Sequence, residues 1–101
     1  MSTFSEQAEA DQKAKDLAQA GQRIFIDKQW EGRMGTDLRP FYNGYVDGEL
    51  VVFHRRRWIV QSVCNAIVAG HIERSGDTEA RWSRWASIYD VEAYNRWLGS
   101  I

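Results

Sequence analysis

The residues of this chain with the most obvious chemistry to offer are one cysteine, Cys64, and two histidines, His54 and His71. A thiol nucleophile needs a base within hydrogen-bond reach. On one continuous helix Cys64 and His71 stand seven residues apart, about 10.5 Å along the axis, so a local dyad fails. His54 is left as a base from across the fold, and Cys64 is expected to be a buried structural thiol. The separations of 10 residues from His54 to Cys64 and 7 from Cys64 to His71 match none of the zinc-ligand patterns. Asp27, Asp37, Asp47 and Asp90 are carboxylates that a fold could gather into an acid–base pair, but no spacing selects them. The chain has no glycine-rich phosphate loop, and no metal or cofactor is expected.

Surface recognition is the chemistry that the sequence favours. Arg55, Arg56 and Arg57 are consecutive, and Arg81, Trp82, Arg84 and Trp85 interleave basic and aromatic groups as protein hot spots and nucleic-acid grooves both do. Trp30 joins them as a tryptophan in or beside a polar loop. These eight residues are the candidate partner-binding set. The alternative is that the tryptophans are core and the arginines line its rim.

Of thirteen basic residues ten are arginine, and five tryptophans are many for 101 residues. Formal net charge is −1, which argues against a dedicated polyanion binder. The second half of the chain nevertheless holds seven basic against five acidic residues, so a local basic patch survives the average. A chain of this length is expected to form one domain that needs no disulfide. Its first residues are polar and acidic where a signal peptide would be basic and then apolar, and no apolar run approaches the roughly 20 residues of a membrane span. A soluble, cytoplasmic protein is expected.

The elements that must position these side chains follow from periodicity and turn chemistry. Around Arg57 the polar residues Arg57, Gln61 and Asn65 share a narrow stripe opposite Ile59, Val63, Ala66 and Ile67, which predicts a central core helix over about 57–72. Its arginine-rich start opposes the helix dipole and has no capping side chain. Either the preceding strand continues through Arg57, or acidic neighbours pair with the arginines, or the cluster awaits an anionic partner. Asp47-Gly48 is a two-residue hairpin turn between strands over 41–46 and 49–53, with Asn43-Gly44 a second turn or a bulge.

Before the hairpin, Thr3 and Glu6 can form a capping box for a helix over about 5–20, ended by Gly21. Its stripe of Phe4, Ala10, Ala14, Leu17 and Ala18 is thin, so it docks closely through small residues or stays partly mobile. Residues 23–26 read as a strand and 29–40 as a loop. After a turn around Gly76, residues 80–88 fit either a strand or a short helix. A last helix is expected from Asp90 as N-cap to Leu98, with Val91, Tyr94 and Leu98 inward.

The fold class expected is α+β: a small antiparallel sheet packed on the central helix, with N- and C-terminal helices flanking. The function expected is that of a non-enzymatic intracellular protein that binds another macromolecule, a protein before a nucleic acid, through an Arg/Trp surface. Its size and lack of a catalytic constellation also fit a phage or mobile-element inhibitor of host machinery. The alternatives are a nucleic-acid-binding protein, and an enzyme or enzyme subunit that uses convergent carboxylates.

Overall fold

Asp47 and Gly48 adopt φ angles of 52° and 86°. Positive φ at both positions is the turn geometry whose twist matches paired strands, and Asp-Gly is one of the few dipeptides that tolerates it. The turn joins β2 (Arg39–Val46) to β3 (Glu49–His54), and β1 (Ile24–Glu31) pairs antiparallel along the other side of β2. The sheet order is β1-β2-β3. The computed structural model describes residues 4–31 and 39–100. Thr3 of the expected capping box, Phe4 and Glu6 side chains, Asp37 and the segment 32–38 lie outside what is described.

Strand alternation sends successive side chains to opposite faces. Ile24, Ile26, Tyr42, Val46 and Val52 join the core formed with α2 (Arg57–Val68), whereas Phe25 and Tyr45 pack with Ala10 and Ala14 of α1 (Phe4–Gln19). The sheet is therefore a middle layer. Helix α1 docks closely through its alanines, as its thin stripe allows, and the Tyr45 hydroxyl donates to Asp11 at 2.7 Å and accepts from Gln7 at 2.8 Å. Burial and the hydrogen bond to Asp11 push that phenol well above its ordinary range, so it stays a donor.

Gly44 sets the distance between sheet and α2. A Cβ there would fall 2.6 Å from Val60 Cγ1 and 2.7 Å from Cys64 Sγ. One residue later the register slips: Gly44 pairs with Val52 and Tyr45 with Leu50, which leaves Val51 as a bulge. The Val51 carbonyl accepts the Thr78 hydroxyl at 2.6 Å, which ties the start of α3 (Thr78–Tyr89) to the sheet. The irregularity expected at Asn43-Gly44 is thus a bulge, on the partner strand.

Three expected boundaries are corrected. Strand β1 runs through Trp30 to Glu31, because an unbroken register from Ile24↔Val46 to Glu31↔Arg39 holds the polar Asp27, Lys28 and Gln29 in the ladder. Helix α2 stops at Val68, where Gly70 (φ 80°) donates to the Ile67 carbonyl and His71 to that of Ala66, the glycine stop of a Schellman motif. Residues 80–88 are helical within α3, whose N-cap Asp77 accepts from the Ala80 amide at 3.1 Å. The strand alternative fails because Arg84 and Ile88, which a strand would put on the same face as Trp82 and Ala86, are exposed while Trp82 and Ala86 are buried.

Asp90 caps α4 (Val91–Leu98) as expected, but the inward face is different. Ala93, Tyr94 and Trp97 pack against the core while Val91 and Leu98 stay exposed. The large indole decides the phase: Trp97 meets Trp82 edge-on at 6.4 Å and its Nε1 donates to Glu79 at 2.9 Å. The layout is that of a small α+β domain, and among the described residues no helix is long and apolar enough to cross a membrane.

The hairpin is also fixed by charge. Asp47 accepts from Arg23 at 2.8 Å and from Arg74 at 2.9 Å, which holds its carboxyl well below the usual carboxylate range. A depressed folded-state pKa adds stability that is fully present above the unfolded value of about 3.9 and is lost as pH falls toward the folded one. Asp47→Asn, which keeps a residue tolerant of positive φ, should lower stability at pH 7 by about 0.5–1 kcal/mol after solvent screening of a partly exposed site. Urea titrations of both proteins should converge as the pH is lowered to about 2.

Candidate functional site

The candidate partner-binding residues do not form one face. Trp30, Arg55 and Arg56 line an open groove of about 1550 Å³ that runs along β3 and the start of α3. Arg84 and Trp85 lie elsewhere on α3 and do not line it. The two sets are separate surfaces.

Helix formation over Thr78–Tyr89 explains how the tail residues divide. Trp82 is 1% exposed and meets Trp58 edge-on at 6.0 Å, so it is a core residue and not a surface contact. Arg81 donates from Nε to the Ser75 carbonyl at 2.8 Å and closes the loop between α2 and α3. Trp85 is half-buried, stacked on His71 at 4.6 Å and on Tyr89 at 5.8 Å, with Arg84 exposed nearby in sequence. His71 is thereby placed as a stacking ring beyond the end of α2, not as a partner of Cys64.

At the start of α2 the strand does not continue through Arg57: β3 ends at His54 and Arg57 opens the helix. Arg56 is the N-cap residue, with no side-chain cap and no acidic residue in the first turn. Its backbone N–H donates instead to His54 Nδ1 at 2.9 Å. Among the described residues neither Arg56 nor Arg57 has a carboxylate partner, so acidic neighbours do not account for them. Arg57 is not among the residues that line the groove.

The groove gains residues that sequence reasoning missed. Phe53 is 69% exposed and Leu50 48%, beside Trp30 at 47%. Phe53 pairs with Asn43 and Leu50 with Tyr45, on the α1 side of the sheet, and both are open to solvent. Arg39 lines the groove from the start of β2. The alternation of Val52 inward and Phe53 outward could have been read from sequence only with the bulge placed.

The acidic groups of the groove are already engaged. Asp77 is the α3 N-cap, and Glu79 accepts from Trp97 and lies 3.5 Å from His54 Nε2. With its Nδ1 accepting from Arg56, the His54 ring ties β3, α2 and α3 together. Arg39 and Arg56, by contrast, are exposed and have no carboxylate partner among the described residues. Among the described residues the lining holds three arginines, Arg39, Arg55 and Arg56, against two carboxylates, Asp77 and Glu79, a positive excess.

The carboxylates weighed for acid–base work have separate duties. Asp27 accepts from Gln29, Asp47 pairs with Arg23 and Arg74, and Asp90 caps α4. No group of three or more His, Cys, Asp or Glu side chains that could hold a metal occurs among the described residues. Cys64 is fully buried against Gly44 and α2, and that burial pushes its thiol up to about 12. In the folded protein its reaction with a disulfide reagent at pH 7.5 should be slower than that of a free thiol by about a hundredfold or more, recovering in denaturant. Comparison of the chain with protein-family models, characterised proteins and solved structures finds no match.

Proposed function

We propose that this is a non-enzymatic protein that binds another protein through the groove along β3. The observation that carries the reading is the pairing of exposed Phe53, Leu50 and Trp30 with the uncompensated Arg39 and Arg56. Aromatic anchors beside arginines are the composition of interface hot spots. Phe53 and Leu50 are exposed together on the α1 side of β3, and Trp30 lines the same groove from β1. A buried thiol, Cys64, fits a reducing cytoplasmic setting. Blocking a surface needs only a docking face, and we therefore place such a binder among inhibitors of host machinery carried by phages or mobile elements.

Nucleic acid is the weaker alternative. The chain as a whole is formally −1, which argues against a dedicated polyanion binder.

Capture from a lysate of the native host tests the proposal when done with surface variants side by side. Wild type should retain a protein partner after nuclease treatment, Phe53→Asp should lose it, and Arg84→Glu on the other surface should keep it. The hot-spot scale puts the loss at Phe53 at about 2 kcal/mol or more. Retention by Phe53→Asp with loss in Arg84→Glu would move the site to the Trp85 surface, and a partner removed by nuclease would favour the nucleic-acid reading.

A further inference from the structure

We infer that the occupant of the groove is an extended acidic segment of the partner protein, recognised by its side chains and not by strand addition. This rests on the reading of the β3 groove as a protein-binding site. Three observations specify the occupant.

The first is shape. Residues 50–56 all line the groove, so the chain beside it, strand to His54 and non-helical through Arg56, runs for up to about 20 Å at 3.3 Å per extended residue. A partner segment of about six or seven residues in extended form matches that length.

The second is charge. Asp77 and Glu79 are bound to groups of the protein's own fold, whereas Arg39 and Arg56 have no carboxylate among the described residues. The missing counter-charges are carboxylates on the occupant. Phe53 and Leu50 add apolar surface on the α1 side of β3, Trp30 lines the groove from β1, and an extended chain turns alternate side chains to one side. Acidic and large apolar residues are therefore both required, in an alternating or closely interspersed order.

The third is the state of the strand edge. An exposed edge invites a further strand through its free backbone groups. Here the Val51 carbonyl is taken by the Thr78 hydroxyl at 2.6 Å, and the bulge interrupts the pleat at the same place. A continuous backbone ladder cannot form across that point. Side-chain recognition is what the edge leaves open.

Selection of a phage-displayed library of random 12-residue peptides on the full-length protein tests this. The enriched peptides should combine Asp or Glu with large apolar residues. As synthetic fluorescent peptides they should bind the Arg39→Glu/Arg56→Glu double variant about tenfold or more weakly than wild type, since each reversal places like charges together. Phe53→Ser should weaken them comparably, and Arg84→Glu should not. Both arginines are exposed, and matching thermal melts will show that the double variant is folded. The neutral Arg39→Ala/Arg56→Ala pair should show a smaller loss in the same direction.

A basic or charge-neutral consensus, no enrichment at all, or acidic peptides that bind the double variant as well as wild type would overturn the inference. So would a 12-nucleotide oligo-dT that binds tighter than every selected peptide. If Phe53→Asp still abolishes capture of the cellular partner while selection gives no acidic consensus, this inference falls and the protein-binding groove stands. Capture unaffected by Phe53→Asp removes the groove itself.

Discussion

Gly44→Ala should destabilise the protein by about 1–3 kcal/mol, the range for overpacking a filled core, and Gly44→Val by more. The new Cβ would lie 2.6 Å from Val60 Cγ1, 2.7 Å from Cys64 Sγ and 2.9 Å from Val52 Cγ1. These atoms come from α2 on one side and the neighbouring strand on the other, so no single rotamer change relieves all three. The sheet must move away from the helix. Urea denaturation checks the cost, and a double-mutant cycle with Cys64→Ala checks the cause. Removing the sulfur should recover part of the loss in Gly44→Ala, although Cys64→Ala alone leaves a small cavity and destabilises. Additive effects would show that Gly44 and Cys64 do not share the contact.

Trp82→Ala should cost about 3–5 kcal/mol, as large aromatic truncations in cores do. The indole is almost completely buried and lies edge-on to both Trp58 and Trp97. Its loss should also loosen α4, because Trp97 of α4 packs edge-on to Trp82 and reaches Glu79. A loss of thermal stability with near-native partner binding at low temperature is expected. Loss of binding with unchanged stability would return Trp82 to the surface set.

What was legible in the sequence is what local chemistry decides. The Asp47-Gly48 turn requires positive φ at adjacent residues, a demand that few dipeptides meet, so both strands of the hairpin could be placed. The central helix was legible because Ile59, Val63, Ala66 and Ile67 recur at helical spacing and are buried as that spacing predicts. Gly21 and Asp90 likewise mark a helix end and a helix start by their own conformational and hydrogen-bonding properties.

Tertiary pairing decided the rest. Asp27, Lys28 and Gln29 disfavour strands on their own, and only the ladder to β2 holds them in one. On α3 the aromatics Trp82, Trp85 and Tyr89 sit close enough in helical phase that sequence could not say which faces the core. The arrival of Trp58 and Trp97 makes it Trp82. The groove was least legible. Trp30, Arg39, Phe53 and Glu79 stand far apart in the chain and meet only through the strand order and the Thr78–Val51 contact. Of the candidate binding residues only Trp30, Arg55 and Arg56 line the groove, and sequence singled them out because an uncapped basic helix start and an isolated tryptophan break local rules.

Amide hydrogen exchange on the protein with and without its captured partner tests the central claim most directly, because it reports which backbone segments the partner covers. Binding in the β3 groove should slow exchange across residues 50–56 and 76–79 and leave residues 84–91 unchanged. Slowed exchange over 84–91, with the β3 and early α3 segments unaltered, would contradict it and place recognition on the His71, Trp85 and Tyr89 surface.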